Sequence, residues 1–173
     1  MSTPKVLIAC VGNIFLGDDG FGVEVARRLA SRDLPEGVRF VDFGIRGLDL
    51  AYAFLDDWAA VVLVDAVPNG SAPGTLHVLS PDSNALAQGS SEIELHSLDP
   101  VKVLRLVSQM GKRLPRLVVL GCEPEPIANE SDMCMGLSPA VEVAVGEAVE
   151  LVGTIALRLQ RGDELATTAS GNH

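Results

Sequence analysis

Basic side chains are scarce in this sequence: 13 Lys and Arg stand against 23 Asp and Glu, giving a net charge of −10. Proteins that grip nucleic acid displace counterions with Lys and Arg, so that class is excluded. An anionic membrane surface is excluded on the same ground. A basic partner segment or a cation remains compatible. Long apolar runs are missing too, and none reaches the roughly 20 residues of a membrane span. Cysteine is limited to Cys10, Cys122 and Cys134, an odd number without a C-x-x-C pair. No disulfide framework is expected, and a reducing cytoplasm is the simplest setting. The opening MSTPKVLIACVGN has one Lys and a short apolar run but no cleavage pattern, so the run is assigned to a first strand rather than a signal.

What is present is the material of one folded unit. The 173 residues are 47% hydrophobic and 21% charged, which suits a single core. Neither a linker nor an internal repeat divides them, so residues 1–161 are read as one domain. Residues 162–173, GDELATTASGNH, lack apolar periodicity and are expected to form a flexible tail. A monomer is the working expectation.

Periodicity orders the elements. Lys5 to Val11, Val38 to Phe43, Ala59 to Asp65, Thr75 to Leu79 and Arg116 to Gly121 read as strands. Helices are expected after residue 20, with Phe21, Val25, Ala26 and Leu29 on one face, and over Leu48 to Leu55. Asp99-Pro100 and Ser138-Pro139 each pair a capping residue with a proline at the first helical position. The first opens a helix with Val103, Leu106, Val107, Met110 and Leu114 at helical spacing. The second opens a long helix lined by Val141, Val145, Ala148, Val149, Val152, Ile155 and Leu159. The turn PNGSAPG is too short for a parallel crossover, so the fourth strand should run antiparallel to the third. The pattern predicts an α/β fold, a three-layer α/β/α sandwich around a mixed, mostly parallel five-stranded sheet.

The chemistry gathers in GNIFLGDDGFG, residues 12–22. Its glycines suggest a phosphate loop, but after Gly17 the order is G-x-x-G-x-G and no Lys or Arg occurs before Arg27. Asp18 and Asp19 also stand where an anion would bind at the coming helix start. A loop that presents an acid is the better reading. Asp18 is expected to cap the helix, which leaves Asp19 at the carboxyl edge of the sheet, where α/β folds bind ligands. The glycines would let the chain turn tightly there and leave room for a bulky substrate.

Asp65 ends an apolar strand at the same edge, either as the start of an Asx-turn or as a functional acid. His96 precedes the Asp99-Pro100 helix start in a loop that can return to that edge. His77 lies within a strand and His173 ends the chain, so both compete poorly. Two carboxylates and an imidazole make an O/O/N set suited to a divalent transition metal. Cys122, after the fifth strand, can pair with His96 as nucleophile and base, although it is not the preferred choice. Cys10 reads as a small core residue and Met133-Cys134-Met135 as adventitious sulfur.

These residues resemble the hydrogenase maturation proteases. The resemblance runs through VGNIFLGDDGFGVEVARRL, DFGIRGLDLAYAFLD, VVLVDAVPNGSAPGTLHVL, the His of ELHSLDP, LVVLGCEPEPI and GLSPAVEVAV. It spans Lys5 to Leu159. It implies a phosphorylase/hydrolase-like sandwich and an endopeptidase that trims the C-terminal extension of a nickel–iron hydrogenase large-subunit precursor. It further implies that Asp19, Asp65 and His96 read nickel that the substrate already carries, so that no permanent metal is needed. Some family members have Glu in place of Asp19. Gly44, Arg46 and Gly47 match a segment linked to substrate recognition, but Phe43 and Ile45 depart from its D-G-G-T-x-G pattern. Two rivals use the same acids: a non-hydrolytic nickel chaperone and a phospho-receiver domain, but receivers place a Lys after strand five, where this sequence has GCEPEP.

Overall fold

The computed structural model describes residues 2–87, 100–127 and 135–167. Its strands are β1 (Val6–Val11), β2 (Val38–Gly44), β3 (Ala60–Ala66), β4 (Leu76–Leu79) and β5 (Arg116–Cys122). Its α-helices are α1 (Phe21–Leu29), α2 (Gly47–Ala53), α3 (Ser83–Ala87), α4 (Pro100–Gln109) and α5 (Pro139–Gln160). Strands β1 and β3 are buried at every position, because helices cover both faces of the sheet. Val6, Ile8, Cys10, Val62 and Val64 pack on α1 and α5. Leu7, Ala9, Val11, Val61 and Leu63 face the other way, onto α2 and α4. The expected α/β/α layers are therefore present.

The strand order is β2-β1-β3-β5-β4. Strands β2, β1, β3 and β5 are parallel, and β4 is antiparallel on the edge beside β5. The expected reversal of β4 relative to β3 holds, but its neighbour is β5, which occupies the edge of β3. The chain leaves β1 toward β2 on one side and later fills β3 and β5 on the other. In open α/β sheets such a change of direction marks the ligand-binding crevice, here expected beyond the carboxyl ends of β1 and β3.

The helical faces follow the sequence closely, with one exception. In α5 all seven residues expected to face inward are buried, as are Phe21, Val25, Ala26 and Leu29 of α1. In α4 the buried residues are Val103, Leu104 and Val107, whereas Leu106 and Met110 are exposed. The helix ends at Gln109 and the chain turns at Gly111, so the longer stripe to Leu114 was not all on one face. After α5, Arg116 Nη1 donates to the Asp163 carbonyl at 2.9 Å and Leu165 packs against the core. The start of the tail is thus held, and residues 168–173 lie outside the described residues.

Candidate active site

The turn that follows β1 is built by close approach. A Cβ on Gly12 would lie 2.2 Å from the Asp19 carbonyl oxygen, and one on Gly22 would lie 2.1 Å from that of Val11 and 2.5 Å from that of Val64. The first turn of α1 therefore stands directly on the carboxyl ends of β1 and β3. The room these glycines provide is filled by the protein's own backbone, not kept for substrate as expected from the sequence. Between them, residues Gly17–Gly20 form a 3-10 turn. The N–H of Asn13 donates to the Asp19 carbonyl at 3.1 Å and that of Asp19 to Leu16 at 3.2 Å, which fixes the backbone under the acid. The Asp19 residue itself is half-buried at the mouth of the crevice.

Asp65 is fully buried in β3, next to the Val64 carbonyl that Gly22 covers. It alternates with Val61 and Leu63, so it belongs to the face packed by α2 and α4. Its Oδ1 accepts the N–H of Ala66 at 2.8 Å. His96 lies outside the described residues. Helix α4 leads into β5, whose start is at the amino edge of the sheet, so Pro100 begins α4 toward the carboxyl edge on the face of Asp65. Among the described residues no group of three potential metal ligands converges.

Asp18 does not cap α1 as expected; neither that helix nor the 3-10 turn has a side-chain cap. Its carboxylate turns inward, where Oδ2 accepts the Glu125 N–H at 2.8 Å and the Ser138 hydroxyl at 2.8 Å. Oδ1 accepts the Ser138 N–H at 2.7 Å. Ser138 occupies the capping position of α5 with extended backbone, but its hydroxyl serves Asp18 rather than the helix. The sequence carried the signal in two separate places, a doubled acid and a Ser-Pro helix start, without showing that they meet.

Glu123 is a third buried acid, and sequence reasoning passed over it. Its Oε2 and Oε1 accept the N–H groups of Asn69 (2.7 Å) and Gly70 (3.2 Å), holding the turn between β3 and β4. His77 Nε2 lies 3.6 Å from Glu123 Oε2 within the same buried corner.

The segment after β2 adjoins the Asp19 turn, since the Gly12 N–H donates to the Gly44 carbonyl at 3.0 Å. A register shift between Cys10 and Val11 makes Phe43 an extra residue of β2, and Phe43 enters the core. Gly44 then takes a positive φ of 52° to end the strand. Arg46 folds back on this loop: Nε donates to the Phe43 carbonyl at 3.2 Å, Nη2 to the Asp42 carbonyl and Nη1 to Asp49 at 3.2 Å. Gly47 starts α2, while Ile45 projects outward.

Cys10 and Cys122 are poorly placed for catalysis, and Cys134 lies outside the described residues. Cys122 is buried, and burial first, then the negative charges of Asp18 and Glu123, push its pKa up to about 12. Cys10 is raised further, by burial and then by Asp42. Both stay protonated near neutrality.

Two acids from separate segments stand at the switch point of an open α/β sheet, and no Lys or Arg follows the glycines as a nucleotide loop requires. The hydrogenase maturation protease family matches residues 23–155 of the chain. The chain is 32% identical to the hydrogenase expression/formation protein HupD of Rhodobacter capsulatus, over 91% of this chain and 76% of that protein. It is 30% identical to the coenzyme F420 hydrogenase subunit delta of Methanothermobacter thermautotrophicus, over 86% and 92%. Its fold is similar to that of the hydrogenase maturating endopeptidase HybD from E. coli, with a TM-score of 0.72, 29% identity, and coverage of 91% of this chain and 94% of that one. It is also similar to the NiFe hydrogenase maturation protease HybD from Thermococcus kodakarensis, with a TM-score of 0.70, 25% identity, and coverage of 88% and 99%. The chain belongs to the hydrogenase maturation protease family and is an enzyme of the peptidase class. The receiver and non-enzymatic chaperone readings give way to this one.

Proposed function

We propose that this peptidase removes the C-terminal extension of a nickel–iron hydrogenase large-subunit precursor after nickel has been inserted. The observation that carries the reading is that Asp19, in the turn after β1, and Asp65, near the end of the adjacent β3, both belong to the carboxyl edge of the sheet at its switch point. The two carboxylates supply hard oxygen donors, and His96 adds the imidazole that favours a transition metal over magnesium. Nickel belongs to the substrate in this scheme. Asp19, Asp65 and His96 read it, and hydrolysis occurs at a peptide bond nearby, with Asp19 able to take a proton from the attacking water.

The surroundings favour a protein substrate. Phe15, Ile45, Leu48 and Tyr52 are exposed apolar side chains on the segments that follow β1 and β2. Such a rim suits a macromolecular surface better than a small polar metabolite. Gly44, Arg46 and Gly47 lie on the same rim, and we assign that segment to precursor recognition, with Arg46 holding its shape. Free Cys10 and Cys122 suit the reducing cytoplasm in which such assembly would take place. Among the described residues no helix is long and apolar enough to cross a membrane.

The test is cleavage of a nickel-loaded precursor, followed by mass analysis. Asp19→Asn, Asp65→Asn and His96→Ala should each sharply reduce tail removal while remaining folded. Normal processing by all three would end the assignment.

A further inference from the structure

Asp18 joins parts of the chain that are far apart in sequence. Its carboxylate binds Glu125, 107 residues away, just beyond β5, and Ser138, 120 residues away, at the start of α5. Both ends of the 125–138 segment are thereby clamped to the turn that carries Asp19. The residue is only 8% exposed, so these charge-assisted bonds form out of water. The Ser138 N–H also stands at the N-terminus of the 22-residue α5, where the helix dipole favours an anion.

The consequence falls on the next residue. Successive side chains in a 3-10 turn diverge by about 120°. With Asp18 held inward by three bonds, Asp19 is turned out of the core and left half-buried at the crevice. We propose that Asp18 is a positioning residue, which fixes the direction of the Asp19 carboxylate by locking this turn to the β5 exit and the α5 start. The proposal rests on the reading of Asp19 as the substrate-facing acid.

Steady-state cleavage of the nickel-loaded precursor tests it, with circular dichroism to give the folded fraction of each variant. Asp18→Asn keeps the shape but sets an NH2 group against a donor. Its kcat should fall about 10–100-fold, the range found when hydrogen-bond partners behind metal-binding groups are removed, with KM unchanged. Ser138→Ala removes one of the three bonds and should lower kcat by a smaller factor, whereas Ser138→Thr keeps the hydroxyl and should retain wild-type kcat. A folded Asp18→Asn enzyme with wild-type kcat, or one altered in KM alone, overturns the proposal. Should Asp18→Asn not fold, the Ser138 pair decides, and a Ser138→Ala enzyme equal to wild type overturns it. Wild-type enzyme that never cleaves the precursor would instead remove the functional reading beneath it.

Discussion

Adjacent aspartates at positions 18 and 19 meet different surroundings because a 3-10 turn points them in different directions. Asp18 is bound on both oxygens by backbone and hydroxyl donors, while Asp19 stays at the crevice mouth. Asp65 is buried in a strand of otherwise apolar residues, where desolvation makes a carboxylate costly unless it is hydrogen-bonded or paired, and its Oδ1 accepts the Ala66 N–H. Cys122 offers the clearest contrast at this scale. With its pKa pushed up to about 12, it should resist iodoacetamide at pH 8 in the native state and react on unfolding, as mass analysis would read. Cys122→Ser should cleave precursor at the wild-type rate, and a dead but folded variant would restore a thiol mechanism. The placement of Asp19 and Asp65 at the carboxyl edge was legible because each follows or ends an apolar run. The sequence hid the role of Asp18, since its partners lie more than a hundred positions away.

At the scale of elements, the contact between α1 and the ends of β1 and β3 decides where the crevice sits. A methyl group at position 22 has no space between the helix and the carbonyls of Val11 and Val64. Gly22→Ala should therefore destabilise the fold by about 1–3 kcal/mol, measured by urea denaturation, and reduce cleavage by displacing the turn before it. Helix α4 allows a paired test of which face is inside. Leu104→Ala should cost about 2–5 kcal/mol, whereas Leu106→Ala, on the exposed side, should stay within about 0.5 kcal/mol of wild type. The strands were legible because buried strands read as apolar runs, and α1, α2, α4 and α5 because of their spacing and caps, whereas the short α3 was not expected. The α4 face was misjudged because Leu106 and Met110 fit helical spacing, and spacing alone does not say which of two apolar stripes meets the sheet. The helix start at Ser138-Pro139 was legible, but the hydroxyl that the local rule assigns to the helix is taken by a tertiary partner, Asp18.

For the whole molecule, strand order gives the acids their meaning. Alternating elements made the mixed sheet predictable, but only the order β2-β1-β3-β5-β4 places the ends of β1 and β3 side by side. Connections of similar length permit other orders, so the switch point could not be read from periodicity. Under the proposed function, hydrolysis depends on nickel carried by the precursor and read by Asp19, Asp65 and His96. Mass analysis of one precursor preparation, with and without nickel, after incubation with metal-free enzyme tests it most directly. The account predicts a shortened precursor only in the nickel-loaded sample, and none with Asp19→Asn. Equal cleavage of the nickel-free precursor, or undiminished cleavage by the Asp19 variant, would contradict it.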